Sequence, residues 1–238
     1  MDSGNIGFVL ICAAFVFVMT PGLAMFYGGL VRKKNVVNTM MTSIFIIGIG
    51  IVMWVLFGYS LSFAPSGNAF IGDFRWLGLE GVSLTEGYTD DASIPNMVFS
   101  AFQMMFAVIT PALITGAVAG RMKFKSIFVF TIFWSLIVYY PLAHMVWGQG
   151  GLLGADGIGA LDFAGGDVVH ISSGVSALVL CILLGKRHDY EHSIYRIHNI
   201  PTVVLGASLL MFGWFGFNAG SALAADGLAA HAFMTTGV

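Results

Sequence analysis

His170 stands inside an apolar stretch, with Val168 and Val169 before it and Ile171, Ser172, Ser173 and Gly174 after it. An ionisable side chain in hydrocarbon costs on the order of 3 kcal/mol, so such a residue marks a place where protons or polar substrates are handled. Imidazole suits that task, because it can bond a polar substrate or exchange a proton at far less cost than a fixed charge. The competing reading is a histidine that only bonds a neighbouring helix, which the small residues around it would let approach closely. Two carboxylates precede it in Asp162-Phe163-Ala164-Gly165-Gly166-Asp167-Val168-Val169-His170. Asp162 falls at the outer end of the helix that follows, where a carboxylate can accept the N–H groups of the first turn. Asp167 is three residues from His170, a spacing that puts it on roughly the same helical face. Alternatively it belongs to the first turn and faces a solvated vestibule. Cys12 and Cys181 have no His or Cys at ligand spacing, so neither a zinc site nor a disulfide framework is indicated, and both read as small core residues. No nucleophile stands at motif spacing from a base, and no Gly-rich phosphate loop opens a helix. Nothing here supports an enzyme, and the chemistry needs no cofactor.

The elements that must position these residues are membrane helices. The 238 residues are 58% hydrophobic and 9% charged with a mean hydropathy of +0.89, against roughly 25% charged in soluble domains. Charge-free runs predict spans at about Ile6–Val31, Met41–Phe63, Met97–Gly120, Ser126–Val146, Val168–Leu184 and Pro201–Ala224, with a seventh beginning near Leu228. Hydrocarbon offers backbone groups no partners, which leaves helices or a closed barrel, and runs near 20 residues without period-2 alternation favour helices. The predicted fold is all-α, a polytopic transmembrane bundle of six helices and the start of a seventh. The run from Ser3 to Val31 is too long for a signal-peptide core and reads as the first span. A net charge of −2, with no Lys/Arg-rich run interleaved with aromatics, sets nucleic acid aside as a partner.

Arg32, Lys33 and Lys34 follow the first span, Arg121, Lys123 and Lys125 the third, and Lys186, Arg187 and Arg196 the fifth. The opposite loops hold Asp73, Glu80, Glu86, Asp90, Asp91 and Asp156 against Arg75. The positive-inside rule then places the N-terminus outside. The acidic loops could raise the local cation concentration over about 10 Å, or be solvated loops and nothing more. Gly22, Phe26 and Gly29 recur at one offset as Gly213, Phe217 and Gly220, five helices apart, which suggests an inverted repeat.

Asp162 through Gly174 resembles the signature of the ammonium transporter (Amt/Mep/Rh) family. Three further stretches match in the family's order: Pro21-Gly22-Leu23-Ala24-Met25-Phe26-Tyr27-Gly28-Gly29-Leu30-Val31-Arg32, Ala143-His144-Met145-Val146-Trp147-Gly148, and Gly213-Trp214-Phe215-Gly216-Phe217-Asn218-Ala219-Gly220-Ser221. The resemblance covers essentially the whole chain, so residues 1–238 read as roughly the N-terminal two-thirds of an ammonium transporter membrane domain.

The resemblance implies a channel-like path for ammonium or ammonia across a cell membrane. Trp147 and Ser221, with Phe106, match an outer recruitment site. Phe106 and Phe217 match stacked rings that gate the pore, with Phe102 as a gate neighbour, and His170 matches the first of two pore histidines. Phe102 and Phe106 taken alone would read equally as core packing. Asp162 is assigned structural support of the recruitment site. The resemblance also implies a homotrimer and a PII-type signalling protein on the cytoplasmic face. The family continues to a second pore histidine beyond the point where this sequence stops, so a fragment or partial product is expected. An ammonium sensor using the same vestibule is the alternative, distinguished by an output domain after the last helix.

Overall fold

The computed structural model describes residues 1–65, 68–155, 157–187, 190 and 194–238. Asp156, one of the acids counted above, lies outside the described residues. Among those described, the chain is helical and holds no strand. Six helices are long and apolar enough to cross a membrane: α1 (Ser3–Leu30), α2 (Lys33–Phe63), α3 (Asn96–Val118), α4 (Phe124–Trp147), α5 (Gly166–Leu184) and α6 (Ile200–Gly220). A shorter α7 follows at Gly227–Gly237.

The predicted spans fall on these helices, with shifts at the ends that have local causes. α2 begins before Met41 because Lys33–Asn35 already form a tight turn that feeds the helix at Val36. α6 stops at Gly220, short of Ala224, because Leu223 takes a left-handed conformation and Asp226 caps α7 through Ala229 N at 2.9 Å. α1 and α6 are started in the same way, by Asp2 accepting from Asn5 N at 2.8 Å and Asn199 accepting from Thr202 N at 3.0 Å. α1 and α3 carry Pro21 and Pro111 in their interiors, as membrane helices tolerate when neighbours re-satisfy the backbone.

The distribution of polarity suits a bilayer and not water. Ile137 is 69% exposed and Leu183 76%, while Ser43 and Thr110 are fully buried. Some buried hydroxyls turn back on their own helices: Thr110 donates to Phe106 O at 2.6 Å and Thr42 to Asn38 O at 2.7 Å. The chain is a multi-pass membrane protein.

Two contacts organise the bundle. α1 packs along α6, running in the opposite direction, and the seam is made of glycines. A Cβ on Gly206 would overlap the Phe26 amide and lie 2.6 Å from Gly22 O; one on Gly213 would lie 2.6 Å from Phe15 O. The recurring glycines of the sequence therefore have a packing cause: Gly22 and Gly29 face α6, and Gly213 and Gly220 face α1. α3 is the central helix, touching α1, α2 and α5.

The basic ends gather at one end of the bundle. Arg121 donates to Gly185 O at 2.8 Å, Arg187 to Ala119 O at 3.3 Å, and both Arg32 and Arg187 lie over the Tyr195 ring. Acidic loops gather at the other end, where Asn5 bonds Ser93 Oγ and Ala225 N, each at 2.9 Å. Arg75 bonds and pairs with Asp73 there and holds that carboxyl below its ordinary range, an exposed pair of small energetic weight.

Candidate functional site

The first turns of α5 are wound as a π-helix from Gly166 to Ile171. Asp162 makes that start possible. One carboxylate oxygen accepts from Gly165 N at 2.5 Å and Gly166 N at 2.8 Å, the other from Asp167 N at 2.8 Å and Val168 N at 3.0 Å. Four N–H groups that a helix leaves without intrahelical partners are thus satisfied by a single side chain, whose charge also suits the positive end of the helix dipole. The backbone of the same residue fixes a second element, since Asp162 O accepts the Trp147 indole N–H at 3.0 Å. Gly165 before the turn has φ of 104°, a left-handed value that an L side chain rarely adopts, and a Cβ there would strike Val169.

The ends of α3, α4 and α6 complete the site. A cavity of about 420 Å³ opens at the acidic end of the bundle, walled by Phe102, Gln103, Phe106, Trp147, Asp162 and Ser221 among others. Trp147 stands edge-on to Phe106, ring centres 6.0 Å apart. Phe106 touches Phe102 at 4.9 Å and Phe217 at 4.4 Å. Beyond Phe217 comes His170, 5.9 Å away, and Trp214 stacks on the His170 ring at 5.6 Å and 11°. Phe102, Phe106 and Phe217 are each 1% exposed, whereas His170 is exposed. Phe217 and His170 do not line the cavity. The structure thus brings the residues singled out from sequence into one file: Trp147, Ser221 and Phe106 at the cavity, Phe217 behind Phe106, His170 last. Ser221 is one turn beyond Phe217 and donates to Phe217 O at 2.8 Å, which leaves its lone pairs for a donor in the cavity. Asp167 gives its N–H to the Asp162 carboxylate, as a first-turn residue does.

Several residues of the site went unnoticed in the sequence. Gln103 is 9% exposed, lines the cavity and has a buried side-chain oxygen without a hydrogen-bond partner, a state that costs about 1–3 kcal/mol. His144 is fully buried and both its ring nitrogens face carbonyl oxygens, Ser62 O at 3.1 Å and Asn68 O at 2.8 Å, so that it pins the loop after α2 to α4. Tyr88 lines the cavity and receives the Gln149 amide; burial pushes its phenol up to about 12 despite that bond, so it stays uncharged. Only His144 lay within a matched motif, and none of the three carries a spacing signal. Among the described residues no group of three His, Cys, Asp or Glu could hold a metal.

A model of the Ammonium Transporter Family matches residues 7–238. An ammonium transporter of Bacillus subtilis is 53% identical over 99% of this chain and 57% of its own length. The solved structure of Candida albicans Mep2 superposes with a TM-score of 0.88 at 33% identity, over all of this chain and 52% of that one. A structure described as a Sensor Amt Protein gives a TM-score of 0.84 at 28% identity, over 98% of this chain and 58% of that one. The chain spans little more than half the length of the relatives it matches.

Proposed function

The chain belongs to the ammonium transporter family, and from that premise we propose that it forms the outer cavity, gate and first part of the pore through which the complete protein passes ammonium nitrogen across a membrane. The observation that carries this reading is the order of the file: an open cavity with an indole and a hydroxyl, then two rings in contact, then an imidazole. A cation in the cavity gains from the Trp147 and Phe106 rings, up to about 2 kcal/mol when desolvated, and from the Ser221 lone pairs. Those gains fall far short of the cost of carrying a bare charge through hydrocarbon. Proton loss near the Phe106–Phe217 rings is the cheaper route: an N–H bond of ammonium breaks, ammonia keeps the electron pair and continues along the pore, and the proton passes to the imidazole of His170 beside Phe217, which serves as the relay. Asp162 holds Trp147 and the start of α5 in place for this sequence of events.

The basic end faces the cytoplasm and the N-terminus lies outside the cell membrane, on the strength of the charge asymmetry. The family resemblance supports a homotrimer and a PII-type partner on the cytoplasmic face. A second reading, an ammonium sensor that uses the same cavity, has in its favour the likeness to a structure described as a Sensor Amt Protein. A signalling domain following the last helix of the complete protein would select it.

The test is uptake and current measured in parallel on reconstituted complete protein. Trp147→Ala should raise the half-saturating ammonium concentration about tenfold, or about 1.4 kcal/mol, with little change in maximal rate. An unchanged concentration dependence removes Trp147 from the site. His170→Ala should lower uptake or alter the charge moved per ammonia while assembly stays intact. Wild-type uptake with wild-type current would exclude the relay role.

A further inference from the structure

α3 brings four residues to the cavity, Phe99, Phe102, Gln103 and Phe106. Phe102 and Phe106 are given to the gate, and the amide of Gln103 between them has no role in the reading above. Its surroundings show what it could do. The Ser221 hydroxyl donates to Phe217 O, the Trp147 N–H is spent on Asp162 O, and the Asp162 carboxylate already accepts four backbone N–H groups. Gln103 is the exception in this wall. It is 9% exposed and its oxygen is buried with no partner. Buried polar groups are nearly always paired, and an unpaired one asks for a ligand that comes and goes.

We propose that the Gln103 carboxamide is a further substrate ligand, accepting an N–H bond from an ammonium-type cation in the cavity next to the Phe106 ring. The proposal rests on the recruitment reading and sharpens it. Ammonium has four N–H donors and no acceptor, so a site for it needs oxygen lone pairs. Ser221 supplies one acceptor; an amide oxygen, with two lone pairs, supplies a second. The oxygen and nitrogen ends of an amide are nearly the same size, and its terminal torsion is soft, so a half-turn presents the oxygen to the cavity without repacking α3. With rings at Phe106 and Trp147 and acceptors at Ser221 and Gln103, the cation exchanges much of its water shell for fixed groups before it meets the gate.

The test compares Gln103→Leu and Gln103→Met with Trp147→Ala in the complete protein, reading the concentration dependence of ammonium uptake and the thermal midpoint in detergent. Both Gln103 variants should raise the half-saturating concentration about tenfold, equivalent to about 1.4 kcal/mol, at unchanged maximal rate. Their midpoints should hold or rise, because the amide gives up no bond within the protein. A residue kept for structure would do the opposite, lowering the midpoint while leaving half-saturation alone, and that pattern in both variants overturns the proposal. Unchanged half-saturation in the Gln103 variants beside a weakened Trp147→Ala overturns it too, while the recruitment reading stands. If Trp147→Ala is also unchanged, the cavity is not the recruitment site and the proposal falls with it.

Discussion

Asp162→Ala should abolish transport, lowering uptake by at least about 100-fold, and should lower the thermal midpoint as well. The side chain accepts from four consecutive N–H groups at the start of α5. Bonds to a charged acceptor are worth about 1.5–3 kcal/mol each, and even with water replacing part of them the loss should reach about 3 kcal/mol, by analogy with other broken charge networks. The damage is directional. An N-terminal turn without its acceptor unwinds, and that turn carries Val168, Val169 and His170, while the Asp162 carbonyl loses its fixed position under the Trp147 indole. Asp162→Asn keeps the shape but replaces one acceptor oxygen with a donor that would face two N–H groups, so it should recover little. Uptake and thermal melting of the purified complete protein check this; a near-normal Asp162→Ala variant would mean that α5 starts without its help.

Gly206→Ala should have an effect of similar size with a different signature, failure to assemble. The added methyl would overlap the Phe26 amide and press on Gly22 O, both backbone atoms that cannot swing aside. Overpacked cores lose about 1–3 kcal/mol when side chains can adjust, and here the helices must separate, so the cost should exceed that range. The control is Gly7→Ala in α1, where a methyl meets nothing within 4 Å; there the better helix former should be neutral or favourable. Size-exclusion profiles in detergent distinguish the two. Matching monodisperse peaks would show that the α1–α6 seam tolerates a gap and that its glycines are incidental.

These two substitutions mark what the sequence can and cannot disclose. The spans were legible because hydrocarbon selects on composition alone, and a run of uncharged residues near 20 long is its direct record. Their ends were less so: the polar residues Asn35, Asn38 and Thr39 lie in or beside the first turns of α2, so the apolar run starts later than the helix, and the uncharged Ser221 to Ala224 stretch extended α6 on paper past the turn that ends it. The file from Trp147 to His170 was assembled from residues on four helices, and only the family resemblance connected them, since no local spacing links Phe106 to Phe217 and Phe106 lies outside the matched stretches. Gln103 stayed hidden because one amide in an apolar helix looks the same whether it is bonded or waiting. The π-helical turns at Trp54–Gly58, Ser135–Tyr139 and Gly166–Ile171 were beyond reach for a related reason. Widening a turn by one residue alters which neighbour a side chain meets, not how hydrophobic it is.

The glycine seam has a consequence for how the protein is made. Gly22 leaves the ribosome roughly 180 residues before Gly206, which at about 5–20 residues per second is a delay of about 10–40 s. Throughout that interval α1 sits in the bilayer with its notched face against lipid, stable as a single helix but without the partner it fits. Spans α2 to α5 must be inserted in the meantime without occupying that groove. Glycine serves this wait as well as the final contact: a surface with no side chains offers early-arriving helices little to hold, and only a helix carrying matching notches can come close enough to stay.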